Sequence, residues 1–196
     1  MTEVLEDYEI LREKLEKKFR QLPQTHQEII MLSSLVNTAA TRTDLMKLVQ
    51  KLGLKNQVGK RFSNLTFAVL IEKLVADGFM EEIDKRYTCH PVIKSEVGWQ
   101  AADSDSFPRM VEEIRAMFPV PENSTYYIFR PAEGYRLCLR ELRLNIYLGN
   151  LRLMDLYYTI IMKEFSDQFN REYFFEQMFN RPFRAEIMEN LPPGIT

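Results

Sequence analysis

Apolar residues recur three and four positions apart along most of the chain, a spacing that predicts helix as the dominant element. Over residues 4–19, Val4, Tyr8, Leu11, Leu15 and Phe19 form one stripe, while Glu6, Glu9, Glu13, Lys14, Glu16 and Lys17 take the opposite face. Such a helix needs a partner surface, either its own domain or a second copy of the chain through a short heptad seam. Pro23 ends it. Thr25 to Glu28 then has capping-box spacing, opening a helix that carries Ile29, Ile30, Leu32, Leu35 and Val36 and stops near Asn37. Thr41 to Asp44 repeats the start signal, Leu45, Leu48, Val49 and Leu52 form a short apolar face, and Gly53 closes the helix. After a polar link, Phe62-Ser-Asn-Leu65 opens a third helix with Val69, Leu70, Leu74 and Val75 at helical spacing, closed by Asp77-Gly78.

The period then changes. Phe79 to Ile83, a polar Asp84-Lys85-Arg86 and Tyr87 to Cys89 read as a hairpin. Three helices followed by a two-stranded hairpin, joined by short turns, is the element order of a winged helix-turn-helix. Pro91, Val92, Ile93, Val97 and Trp99 suggest a linking helix, and Ala102-Asp-Ser-Asp-Ser106 is the best candidate linker. A helix from Phe107 to about Phe118 precedes Pro119 and Pro121, while 122–132, with Tyr126, Tyr127 and Phe129, receives no element. Glu133 to Leu148 and Leu151 to Phe165 are strong helical patterns separated only by Gly149-Asn150, which forces an antiparallel helical hairpin. Arg171 to Asn190 reads as two short helices broken at Pro182, and the Leu191-Pro-Pro-Gly end reads as a cut inside a longer protein.

The expected fold class is therefore mainly α. It comprises an amphipathic helix over 1–20, a winged helix-turn-helix domain over 21–101, and antiparallel, tetratricopeptide-like helical hairpins over 107–196 that continue past the chain end. Composition agrees with a globular chain: 196 residues, 45% hydrophobic and 28% charged. No apolar run approaches the roughly 18 residues of a membrane span, and the acidic start lacks the flank of a signal peptide, so the expected location is cytoplasmic.

Charge changes the picture more. The formal net charge of −2 argues against a uniformly basic nucleic-acid binder. Its distribution does not. Residues 21–95 hold ten basic and seven acidic residues, a net of +3 that leaves −5 for the rest. Residues 45–71 hold Lys47, Lys51, Lys55, Lys60 and Arg61 with no acid at all. That window spans the second helix, the turn and the start of the third helix, where a helix-turn-helix meets phosphates. Lys55, Lys60, Arg61 and Asn64 are the candidate DNA contacts, with Lys85 and Arg86 at the wing tip. Glu81, Glu82 and Asp84 dilute the wing, and Phe67 and Ile71 occupy part of the third helix, which leaves a protein-docking face as the other reading.

Signals for catalysis are few. Gly53 to Gly59, followed by Lys60-Arg61, superficially resembles a phosphate loop, but five residues separate the glycines, Arg61 takes the magnesium position and a helix precedes it, so it is no nucleotide site. Cys89 and Cys138 make no disulfide framework, and Cys89-His90 alone cannot assemble a tetrahedral metal site. No cofactor is expected and the chain reads as non-enzymatic. Arg136, Arg140 and Arg143 lie on one helix face and either bind a phosphate or acidic partner or pair with Glu133, Glu141 and neighbouring acids. The aromatic run from Tyr157 to Phe183 is most simply core for stacked helices.

The winged-helix order is followed by Cys89-His-Pro-Val-Ile-Lys-Ser-Glu-Val97, the Phe107, Val111, Ile114-Arg115, Phe118-Pro119 helix, and Leu139-Arg-Glu-Leu-Arg-Leu144-Asn-Ile-Tyr-Leu-Gly-Asn150. Together these resemble the N-terminal region of bacterial Swi/Snf-family, DEAD/DEAH-type helicase-like ATPases, over about residues 22–196. The resemblance implies an accessory segment of a nucleic-acid-stimulated ATPase, ahead of helical repeats and a distant catalytic core. None of the family's ATP-binding motifs is present, so it carries over no catalytic residue, and the helix at 4–19 has no place in its pattern. The leading expectation is a non-catalytic nucleic-acid-binding or docking module of a larger ATPase polypeptide. The alternatives are a protein-interaction scaffold, homodimeric through its first helix, and a stand-alone transcription regulator with a ligand pocket among Tyr126 to Phe129 and Leu137 to Tyr158.

Overall fold

Asn37 stops a helix by turning left-handed, at φ 57°, and that turn delivers the chain to a sheet rather than to another helix. The computed structural model describes residues 2–121 and 130–179. The expectations for Tyr126 to Phe129, for the break at Pro182, for Phe183 and for the Pro-Pro-Gly end lie outside those residues. The protein is mainly helical with one small antiparallel sheet, and it divides into two units, Met1–Met117 and Phe118–Thr196.

In the first unit the order is α1 (Thr2–Arg20), α2 (Gln24–Val36), β1 (Ala40–Thr41), α3 (Arg42–Lys51), α4 (Asn64–Ala76), β2 (Met80–Ile83), β3 (Arg86–Cys89), α5 (Pro91–Ala102) and α6 (Phe107–Met117). Helix α2 is buried almost all round, from Ile29 to Val36, because α5, α6 and β3 all pack on it. Its expected capping box does not form. Pro23 precedes the helix, Thr25 reaches away to the loop after α3, and Glu28 accepts from Gln24 within the helix. The two later starts do follow local chemistry. Thr41 Oγ1 accepts the Asp44 N–H at 3.2 Å, and Ser63 and Thr66 form a reciprocal capping box at the start of α4.

The sheet has strand order β1-β3-β2. Strand β1 is one strand more than the sequence predicts; at two residues it is too short to show any alternation. The β2–β3 hairpin pairs Met80 with Cys89 and Ile83 with Arg86, and turns on Asp84 and Lys85, both left-handed at φ 52° and 60°. The run Ala102 to Ser106 is a hydrogen-bonded turn between α5 and α6 instead of a linker, with Ser104 Oγ donating to the Ala101 carbonyl at 2.6 Å. Helix α6 then packs on α3.

Helix α1 docks on α5, and the buried apolar residues described on it lie in its C-terminal half. Leu15 and Phe19 are buried, and Phe19 meets Phe79 edge-on at 6.5 Å between ring centres, while Leu11 and Ile10 stay exposed.

The second unit contains α7 (Pro131–Tyr147), α8 (Leu151–Glu164), a 3-10 turn (Ser166–Gln168) and α9 (Arg171–Phe179). Helices α7 and α8 form the expected hairpin. Gly149 takes φ 63° and Asn150 caps α8 by accepting the Leu153 N–H at 3.2 Å. Cys138 is core, as are Tyr158, Phe165, Phe169 and Phe174, whose rings contact one another or Tyr135 at 5.5–6.1 Å. The Arg136, Arg140 and Arg143 stripe is not an open face. Arg140 is fully buried and donates from Nη2 and Nε to Glu141 Oε1 at 2.8 and 3.1 Å, and Arg143 donates to the Tyr147 hydroxyl; of the three, only Arg136 is exposed.

Candidate nucleic-acid interface

Residues 52–63 connect α3 to α4 as a small folded loop. Asn56 organises it: its side-chain oxygen accepts the N–H groups of Val58 at 3.2 Å and Lys60 at 2.9 Å, and its own N–H donates to the Lys60 carbonyl at 2.8 Å. Gly59 supplies the φ of 75° that closes the turn. Lys55 and Arg61 pair across it as an isolated antiparallel bridge, and Thr25 Oγ1 of α2 donates to the Lys55 carbonyl at 2.9 Å. The backbone carrying Lys55, Lys60 and Arg61 is thus tied at both ends, and all three side chains face solvent.

Of the predicted contacts, the structure brings Lys55, Lys60 and Arg61 into this one loop, with Asn64 exposed at the first position of α4 directly after the Ser63 cap. Lys85 and Arg86 belong to a different element, the hairpin, and are exposed at and beside its left-handed turn. Glu81 of the same hairpin lies 3.6 Å from His90 Nε2, while His90 Nδ1 accepts the Val92 N–H and caps α5. Lys51, inside the acid-free window, is engaged with α6. Its ammonium meets Glu113 at 2.9 Å, and its carbonyl accepts from Arg109.

Helix α4 is rotated differently from its sequence reading. Phe67 and Ile71 are fully buried, so they do not occupy the face a helix-turn-helix offers to DNA. Val69, one of the apolar residues at helical spacing, is 59% exposed, and Leu65 one turn earlier is 74% exposed. Beside Val69 lies a groove of about 320 Å³, whose walls include Val58, Phe62, Thr66 and Lys73 and whose floor includes His26. Sequence reasoning missed it, because Val69 is indistinguishable from a core position by spacing alone.

His26 is buried there, and the amide nitrogen of Gln57 donates to its Nε2 at 3.4 Å, which puts the ring proton on Nδ1. Nδ1 has no hydrogen-bond partner among the described residues. Burial pushes the imidazole below its usual range, Lys73 adds to the shift and Asp77 opposes it. The unfolded chain therefore takes up this proton first, and the stability His26 contributes above the ordinary value of 6.5 is lost as pH falls through the depressed folded value. In urea unfolding followed by the single tryptophan, Trp99, the midpoint should drop between about pH 7.5 and about pH 5.5. His26→Gln should flatten that dependence; an equally steep profile in the variant rejects the assignment.

No helix among the described residues is long and apolar enough to cross a membrane. No family model, curated protein or solved structure matches the chain.

Proposed function

We propose that residues 21–101 form a winged helix-turn-helix domain that serves as a non-catalytic, cytoplasmic docking module holding duplex DNA by its phosphates, within a larger Swi/Snf-like ATPase polypeptide whose tetratricopeptide-like part includes α7 and α8. The observation that carries this reading is the tied α3–α4 loop, which holds Lys55, Lys60 and Arg61 in solvent inside a window without acids. The order of elements and the strand order β1-β3-β2 support the winged-helix assignment. Backbone docking is favoured over base reading because the exposed face of α4 presents Leu65 and Val69, which offer base edges little hydrogen bonding.

If Lys55, Lys60, Arg61, Lys85 and Arg86 each displace one counterion, affinity for a short labelled duplex falls with salt at a log–log slope of about −4.5, roughly 500-fold between 50 and 200 mM. Lys60→Glu with Arg61→Glu should lower the slope by about 2 and weaken binding to every sequence alike. Salt-independent binding, or binding untouched by the double variant, removes the DNA role.

A protein-interaction scaffold is the second reading, favoured by the exposed Ile10 and Leu11 on α1, along which a homodimer would close.

A further inference from the structure

The face of α4 that a winged helix would turn toward a ligand carries exposed apolar side chains, Leu65 and Val69, beside the basic loop. Val58 at the loop tip is 74% exposed and Val69 on α4 is 59% exposed, and the groove between them reaches inward to Phe62, Leu70 and His26. At about 320 Å³ it sits at the lower end of the ~300–1,000 Å³ typical of ligand pockets, room for an anchoring side chain but not for a large cofactor. Lys73 is the one cation among its lining residues, Lys60 and Arg61 precede Phe62 on the same exposed loop, and residues 45–71 contribute no acid. The neighbouring acids are Glu72 on α4 and Asp77 at its end.

We propose that this groove docks an acidic polypeptide segment, which seats one or two large apolar side chains against Val58, Phe62 and Val69 while its carboxylates meet Lys60, Arg61 and Lys73. Charge complementarity selects the occupant. Duplex DNA would set its phosphates against uncovered valines, an arrangement at odds with the polar, strongly positive character of DNA interfaces. A basic or neutral peptide would meet a rim of like or unanswered charge. An acidic segment with leucine or phenylalanine at helical spacing satisfies both layers, in the manner of an amphipathic helix laid in a groove. The site shares Lys60 and Arg61 with phosphate docking and differs from it in energetics, because its apolar contacts should survive salt that releases DNA.

Fluorescence anisotropy on the full chain tests this with three labelled peptides of about 16 residues. One carries Leu and Phe at i, i+3, i+4 and i+7 among glutamates; the second replaces the glutamates with lysines; the third keeps them and replaces the apolar residues with serine. Only the first should bind saturably. Val69→Asp and, separately, Val58→Asp should each weaken it at least tenfold, with circular dichroism unchanged because both side chains are exposed in the native protein. Lys73→Glu should weaken the acidic peptide and not strengthen the serine control. Lys60→Glu with Arg61→Glu should weaken both ligands, but Val69→Asp should weaken the peptide and leave the salt slope for duplex DNA unchanged, so the two readings fail separately. The proposal is overturned by binding of the lysine peptide as tight as the acidic one, by equal binding of the serine peptide, by indifference to both valine variants, by displacement of the peptide only through duplex DNA at low salt, or by a dimer in sedimentation that Val69→Asp dissolves.

Discussion

Arg140→Met is expected to destabilise the C-terminal unit by about 3–5 kcal/mol, the cost of leaving one member of a buried ion pair without the other. Arg140 is fully buried in α7 and its guanidinium makes two hydrogen bonds to Glu141 Oε1, at 2.8 and 3.1 Å. Glu141 is itself 2% exposed, so the variant leaves a carboxylate in the core without these two charge-assisted hydrogen bonds. Methionine fills much of the lost volume, which keeps the cavity contribution small and makes the charge the dominant cost. Asn145, which donates to the Glu141 carbonyl at 2.7 Å, should lose protection along with it. Amide hydrogen exchange over α7 and α8 reads the effect locally. The double variant Arg140→Met with Glu141→Met, which leaves no buried charge, should recover part of the loss. Exchange unchanged in the single variant would mean that the pair is solvated.

Phe19→Ala should cost about 3–5 kcal/mol in the N-terminal unit, the range for truncating a buried phenylalanine. The effect is large because α1 is held by few anchors: Leu15 and Phe19 are its buried apolar residues among those whose burial is described. Phe19 also supplies the edge-on contact with Phe79, so the variant loses both area and ring geometry. Urea unfolding read by Trp99 on α5, the helix against which α1 lies, reports the change. Ile10→Ala, at a position 64% exposed, should fall within about 0.5 kcal/mol of the parent. A loss below about 1 kcal/mol for Phe19→Ala would show that α1 is not docked.

These residues also mark what could be read along the chain. Thr41 with Asp44, Ser63 before α4, the polar Asp84-Lys85 turn and Gly149-Asn150 are all local devices. Each works within about four residues, where side chain and backbone meet whatever the rest of the fold does, and each is in place. Thr25 and Glu28 have the same spacing as a working cap yet do not form one, because Thr25 is drawn to a carbonyl 30 residues away. Strand β1 exists only because β3 arrives beside it, pairing Ala40 with Tyr87, 47 residues later.

The candidate site divides along the same line. That cations cluster between residues 45 and 71 is a property of order along the chain, and so is the helical nature of the segment that follows them. Which of those cations is free is not. Lys51 and Lys60 look alike in sequence, but α6 brings Glu113 to within 2.9 Å of Lys51 and leaves Lys60 in solvent. Val69 and Leu70 look alike, but the rotation of α4 against its neighbours buries one and exposes the other. Arg136 and Arg140 look alike, but Arg140 is fully buried and Arg136 is exposed. Periodicity and caps establish which segments are helical and where they stop, since those are contests between near neighbours. The rotation of each helix, and with it whether a lysine, valine or arginine meets water, is settled by packing against residues tens of positions away, a many-body balance with no local signature.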